Sequence, residues 1–138
     1  MGSIKQAIQA EKSKGFTIRF ELRTTKKDKD GRAPIRLVYQ VKNERKVYNT
    51  GQSVLPECWD LKNQETIYID KKTAKRLHPA IDYNLFLTDT QAKEFNERLI
   101  DLITSIKRIT DRLLMDKIVF NAEMVIDRLK ANKTVTTK

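Results

Sequence analysis

The sequence predicts an α+β fold: a three-stranded antiparallel sheet followed by a long helix and a short C-terminal helix. Three observations predict it. Apolar and polar residues alternate through Phe16-Thr17-Ile18-Arg19-Phe20-Glu21-Leu22-Arg23. The alternation returns in Ile35-Arg36-Leu37-Val38-Tyr39-Gln40-Val41-Lys42, and period two over this length marks half-buried strands. From Ala92 to Leu113 the apolar residues instead recur every three or four positions, the stripe of an amphipathic helix.

The elements follow in order. Residues 1–15 are expected to form a flexible N-terminal tail, because only Ile4, Ala7, Ile8 and Ala10 offer an apolar face. The first strand is expected from Phe16 to Thr24, sending Phe16, Ile18, Phe20 and Leu22 into the core. A polar loop follows, with Asp30-Gly31 as its turn signal. The second strand begins after Pro34, a position where no ladder donor is needed. Asn43-Glu44 is read as the turn into a third strand over Arg45 to Thr50. An even register puts Tyr48 in the core with Tyr39 and Leu37; a slip of one residue reverses this. Gly51 suggests a bend or bulge. Pro56 sits at the first position of a short helical turn, and Trp59 is expected to dock on the sheet.

Beyond this point, Glu65 to Ile69 reads as a short extra strand and Lys71 to Pro79 as a basic loop. Thr88 or Asp89 caps the long helix, which runs nearly to Met115 on a stripe of Ala92, Phe95, Leu99, Leu102, Ile106, Ile109 and Leu113. Ile100, Ile103 and Leu114 widen that stripe. Asn121 is an N-cap for the last helix, with Phe120 and Val125 as its staple. Met124, Val125, Ile126 and Leu129 form its apolar side, and Asn132 to Lys138 reads as an unstructured tail. Three segments result: the 1–15 tail, a sheet domain over 16–87, and a helical segment over 88–138.

Charge narrows the partners. The chain has 138 residues, a net charge of +10 and a charged fraction of 33%. Residues 1–58 hold 13 Lys and Arg against 6 Asp and Glu, a balance of +7. The strand-rich part is therefore the electropositive one, which favours a polyanionic partner. A single cysteine excludes an internal disulfide and fits a reducing, cytoplasmic and nucleoid-associated location. No apolar run approaches a membrane span, so no membrane partner is expected.

Catalytic chemistry finds no support. One His and one Cys lie twenty positions apart with no repeated ligand spacing, so no metal site is expected. Cys58 beside Trp59 reads as a buried small hydrophobe. The glycines are scattered and form no phosphate loop, so no cofactor is expected. The chain is not expected to be an enzyme by itself.

The open face of the strands carries the functional signal. Arg19, Arg23, Arg36 and Gln40 share it, joined by Arg45, Val47 and Asn49 in the even register. A two-stranded ribbon fits the major groove of double-stranded DNA, where Arg reads guanine and Gln reads adenine. Lys26, Lys27 and Lys42 are expected at phosphates, which position a protein without reading sequence. Two other readings stay open: a protein-interaction module using the helical stripe 92–113, and an RNA-binding sheet, for which the face lacks stacking aromatics.

The order of these pieces resembles a family. The pieces are TIRFELRTTKKDKDG, APIRLVYQVKNERK, VYNTGQSV, LPECWD, KEFNERLIDLITSI and VFNAEMVIDRLK. The most specific parts are Asp-Gly-x-x-Pro-Ile at Asp30 to Ile35, Arg45-Lys46 before the third strand, and the run from Gly51 to Asp60. Over roughly residues 16–130 the chain resembles the N-terminal region of bacterial tyrosine recombinases, the phage-type integrases of mobile elements. That resemblance implies an arm-type DNA-binding domain whose sheet enters the major groove. The helical segment would then be a linker to, or the start of, a SAM-like core-binding domain. A catalytic domain with an Arg/His/Arg set and a tyrosine nucleophile would lie beyond Lys138. Tyr39, Tyr48, Tyr68 and Tyr83 have no such role, and self-association on DNA is left open.

Overall fold

A computed structural model describes residues 16–136, with side chains described through Ala131. The expected tail over 1–15 lies outside the described residues.

Three strands, β1 (Phe16–Leu22), β2 (Ala33–Val41) and β3 (Glu44–Val54), form an antiparallel sheet in the order β1-β2-β3. Period two does what it predicts: Phe16, Ile18, Phe20, Ile35, Leu37, Tyr39 and Tyr48 are all buried on one side. Leu22, the last residue of β1, packs only partly against this core. β1 stops there instead of at Thr24, because the chain turns into a 3-10 helix over Thr24–Lys26. Asp28 then organises the loop, its carboxylate accepting the backbone N–H groups of Asp30 and Arg32.

The β2–β3 turn is Lys42-Asn43, one residue earlier than expected, and β3 is longer at both ends. Lys42 takes a φ of 54°, the positive value that the first position of a primed hairpin turn requires. Val41 therefore pairs with Glu44 and Gln40 with Arg45, which keeps the even register. Near Gly51 the ladder shifts: Arg36 faces Asn49, but Pro34 faces Ser53. Gly51 adopts a φ of 79°, and the Thr50 hydroxyl donates to Ile35 O across the irregularity.

A 3-10 turn over Pro56–Cys58 leads to a small hairpin of β4 (Trp59–Asp60) and β5 (Glu65–Thr66). Trp59 is buried in the common core. The extra strand is shorter than expected because it pairs only with two residues of β4. The expected basic loop Lys71 to Pro79 is instead α1 (Lys71–Leu77). Only Ala74 is buried along it, so no apolar period announces it. Asp70 precedes the helix, and Lys75 and Arg76 in the last turn complement its dipole.

The long helix, α2, spans Asp89–Met115. Thr88 caps it in a reciprocal capping box with Gln91. Its buried residues are Ala92, Leu99, Ile103, Ile106, Ile109, Thr110 and Leu113. Leu114 is 46% exposed and does not widen the buried stripe as expected. It lies one position round the helix from Leu113, which is fully buried. α3 spans Ala122–Thr136, so the expected unstructured tail is helical as far as Thr136. No Gly or Pro follows Asn121 to stop it. The Asn121 side chain accepts from Met124 N, and Glu44 at the start of β3 accepts from Ala122 N. These carboxylate and amide oxygens satisfy N–H groups that a helix start leaves unpaired.

One core results. Sheet residues, Trp59, Phe86, Leu87 and the buried faces of α2 and α3 join a single cluster. The apolar stripe of α2 is therefore consumed inside the chain. The interaction-module reading required that stripe to face outward, and the packing overturns it.

Candidate nucleic-acid interface

The face of the sheet opposite the core is built by register. Thr17, Arg19 and Glu21 of β1 stand beside Gln40, Val38 and Arg36 of β2. Those three stand in turn beside Arg45, Val47 and Asn49 of β3. Arg19, Arg36, Gln40, Arg45 and Asn49 are thus brought together, as the even register predicts. Arg23 lies one residue past β1, at the rim, where its backbone N–H donates to Pro34 O. Lys26 and Lys27 lie in the β1–β2 connection and Lys42 in the β2–β3 turn, at opposite ends of the face. Strand rise along β2 separates those ends by about 27 Å.

This face is not purely cationic. Glu21 accepts hydrogen bonds from Arg36 on the neighbouring strand and from Arg19 Nη2 at 3.3 Å on its own. Partial burial raises the Glu21 carboxyl. The hydrogen bond and charge of Arg36, joined by those of Arg19, outweigh it and hold the group below its ordinary range. Val38, at the middle of the middle strand, is only 2% exposed, whereas Val47 beside it is 44% exposed. The two amides are tied to nearby backbone: Gln40 Nε2 donates to Lys42 O, and Asn49 Oδ1 accepts from Gly51 N.

Glu21 is absent from the sequence-derived site, although period two alone places it with Arg19 and Arg23. Its parity in β1 is the signal that points to it.

Elsewhere the chemistry is quiet. Cys58 is fully buried, and burial pushes its thiol up, which suits packing and not attack. Among the described residues, no group of three or more His, Cys, Asp or Glu side chains could hold a metal ion. None of the described helices is long and apolar enough to cross a membrane.

Comparison with known proteins gives one family. The model described as an Arm DNA-binding domain matches residues 20–137, which include the end of β1, all of β2 and β3, both long helices and the whole of the candidate face except Thr17 and Arg19. Comparison with curated proteins and with solved structures gave no match.

Proposed function

The chain belongs to the Arm DNA-binding domain family, the N-terminal DNA-binding domain of phage integrases, and from that premise we propose that its open sheet face docks into the major groove of duplex DNA. Arg19, Arg23, Arg36 and Gln40 approach base edges, helped by Arg45 and Asn49. Lys26 and Lys27 at one end, and Lys42 at the other, meet the flanking phosphates. The module binds and does not cut. It anchors a tyrosine recombinase of a mobile element at accessory sites, while a separate catalytic domain exchanges strands.

One observation carries this reading: the cross-strand register gathers Arg19, Arg36, Gln40, Arg45 and Asn49 on the side of the sheet turned away from the core. The core-facing side is already filled by α2 and α3. A two-stranded or three-stranded ribbon of this size matches a groove about 12 Å wide.

The test is a gel-shift titration of the full chain on duplex DNA across salt concentrations. Reversing Arg19 and Arg36 to Glu should abolish binding while the circular dichroism melt stays cooperative. Wild-type binding should fall steeply with salt as counterions are released. Unchanged affinity in the double variant would refute this face.

A further inference from the structure

A carboxylate on a DNA-facing surface, near the end of its edge strand β1 and bonded to two of its arginines, needs an explanation. Glu21 repels phosphates and so weakens general attraction to DNA. Its ion pairs are partly exposed, with side-chain exposures of 42% for Arg19, 29% for Glu21 and 26% for Arg36, and such pairs add little stability. Neither affinity nor folding accounts for it.

The geometry of the cluster suggests what does. One carboxylate oxygen takes Arg36 through its Nε and a terminal nitrogen; the other takes a terminal nitrogen of Arg19. Both guanidiniums, from neighbouring strands, are thereby fixed in orientation. A guanidinium has five N–H donors, so each keeps donors for a second acceptor. Fixing them in advance lowers the entropy lost when they engage a base edge. The carboxylate also penalises docking poses that lay a phosphate between Arg19 and Arg36, where freed arginines would otherwise seize it.

We propose that Glu21 is a positioning residue that exchanges binding strength for sequence selectivity, holding Arg19 and Arg36 for base edges and away from the backbone. The inference rests on the reading of this face as the DNA-binding one.

The experiment uses the full chain and a pool of randomised duplexes. Wild-type protein selects from the pool, and the recovered duplex is compared with a shuffled duplex of equal length and composition. For Glu21→Gln, binding to the shuffled duplex should tighten, and its salt slope should steepen by about one as a released arginine finds a phosphate. The ratio of recovered to shuffled affinity should fall about tenfold, the range of one good base contact. Glu21→Asp keeps the charge on a shorter stem and should recover part of that ratio, a rescue that a purely structural role would not produce. If Glu21→Gln fails to melt cooperatively, Glu21→Ala carries the same expectation.

A ratio unchanged within about twofold, or an equal loss on both duplexes, overturns this inference while leaving the groove-docking reading intact. Wild-type protein that binds no duplex overturns both.

Discussion

Asn96 on α2 grips Thr66 on β5 by three hydrogen bonds. Its Oδ1 accepts the Thr66 backbone N–H at 2.7 Å and the Thr66 hydroxyl at 2.9 Å, and its Nδ2 donates to Thr66 O at 2.9 Å. The side-chain amide thus replaces the strand partner that a two-residue hairpin lacks. Thr66 is 2% exposed, so its backbone groups have no ready substitute in water. Asn96→Ala should cost about 1–3 kcal/mol, the penalty for leaving a buried donor and acceptor unmade. Urea denaturation measures it. A change within about 0.5 kcal/mol, as for an ordinary surface substitution, would remove Asn96 from this role.

A second polar contact crosses the core between sheet and helix. Tyr39 OH lies 3.2 Å from Thr110 Oγ1, and both residues are fully buried. Burial pushes the Tyr39 hydroxyl up to about 12, opposed by the Thr110 hydrogen bond, so it stays protonated at any ordinary pH. Tyr39→Phe strands the threonine hydroxyl and should cost about 1–2 kcal/mol. Adding Thr110→Val should cost less in that background than in the wild type, because both partners are then apolar. A double-mutant cycle by chemical denaturation reads the coupling, and additive losses would show that the two hydroxyls do not interact.

Gly51 is required by conformation and not by space. Its φ is 79°, yet nothing lies within 4 Å of where a Cβ would stand. Gly51→Ala should therefore destabilise by about 1–2 kcal/mol through backbone strain alone. The thermal melt checks the size. Loss of cooperativity would instead mean that the register of β3 depends on this residue.

The sheet was legible because alternation encodes both the strand and its faces. Phe16, Ile18 and Phe20 sort from Arg19 and Glu21 by parity, and no tertiary detail is needed. The register of β3 followed from the same parity even though the turn falls at Lys42-Asn43, since any loop preserving the pairing of Gln40 with Arg45 gives the same faces. α1 was illegible because a seven-residue helix with one buried side chain, Ala74, has no period to read. Asn132 to Thr136 is helical although its polar composition reads as disorder, because no Gly or Pro breaks the helix there. The Arg36–Glu21 contact is a cross-strand one, so it becomes visible only when β1 and β2 are paired.

Asp60 should make stability depend on pH. The Asn63 backbone N–H, then the Asn63 side chain, hold its carboxyl below the usual range despite some desolvation, with Lys62 adding to the effect. A carboxyl whose folded value is depressed stabilises the fold above its unfolded value and loses that contribution as pH falls through the folded one. Asp60→Asn should therefore be slightly less stable than wild type at neutral pH. The two should converge once the pH drops below the carboxylate range. Melting temperatures measured from pH 7 down to acid test this. A difference independent of pH would assign the loss to altered hydrogen bonding at Lys62 and Asn63 and not to charge.

Under the proposed docking, Gln40 and Lys27 should separate reading from positioning. Gln40 sits on the β2 face, and its amide must release Lys42 O before it can offer a donor and an acceptor to adenine. Lys27 sits in the β1–β2 connection, off the strand face, where the proposed docking gives its ammonium a phosphate. Gln40→Ala should relax discrimination at one base position by about 1–3 kcal/mol while leaving the salt slope alone. Lys27→Ala should weaken every duplex alike and reduce that slope by about one. Titrations of both variants on a selected and a shuffled duplex, at several salt concentrations, give the two quantities independently. Equal slopes and equal ratios in the two variants would mean that turn and face contact the same groups, which the 27 Å or so between the ends of the strand does not permit if the sheet lies in the groove.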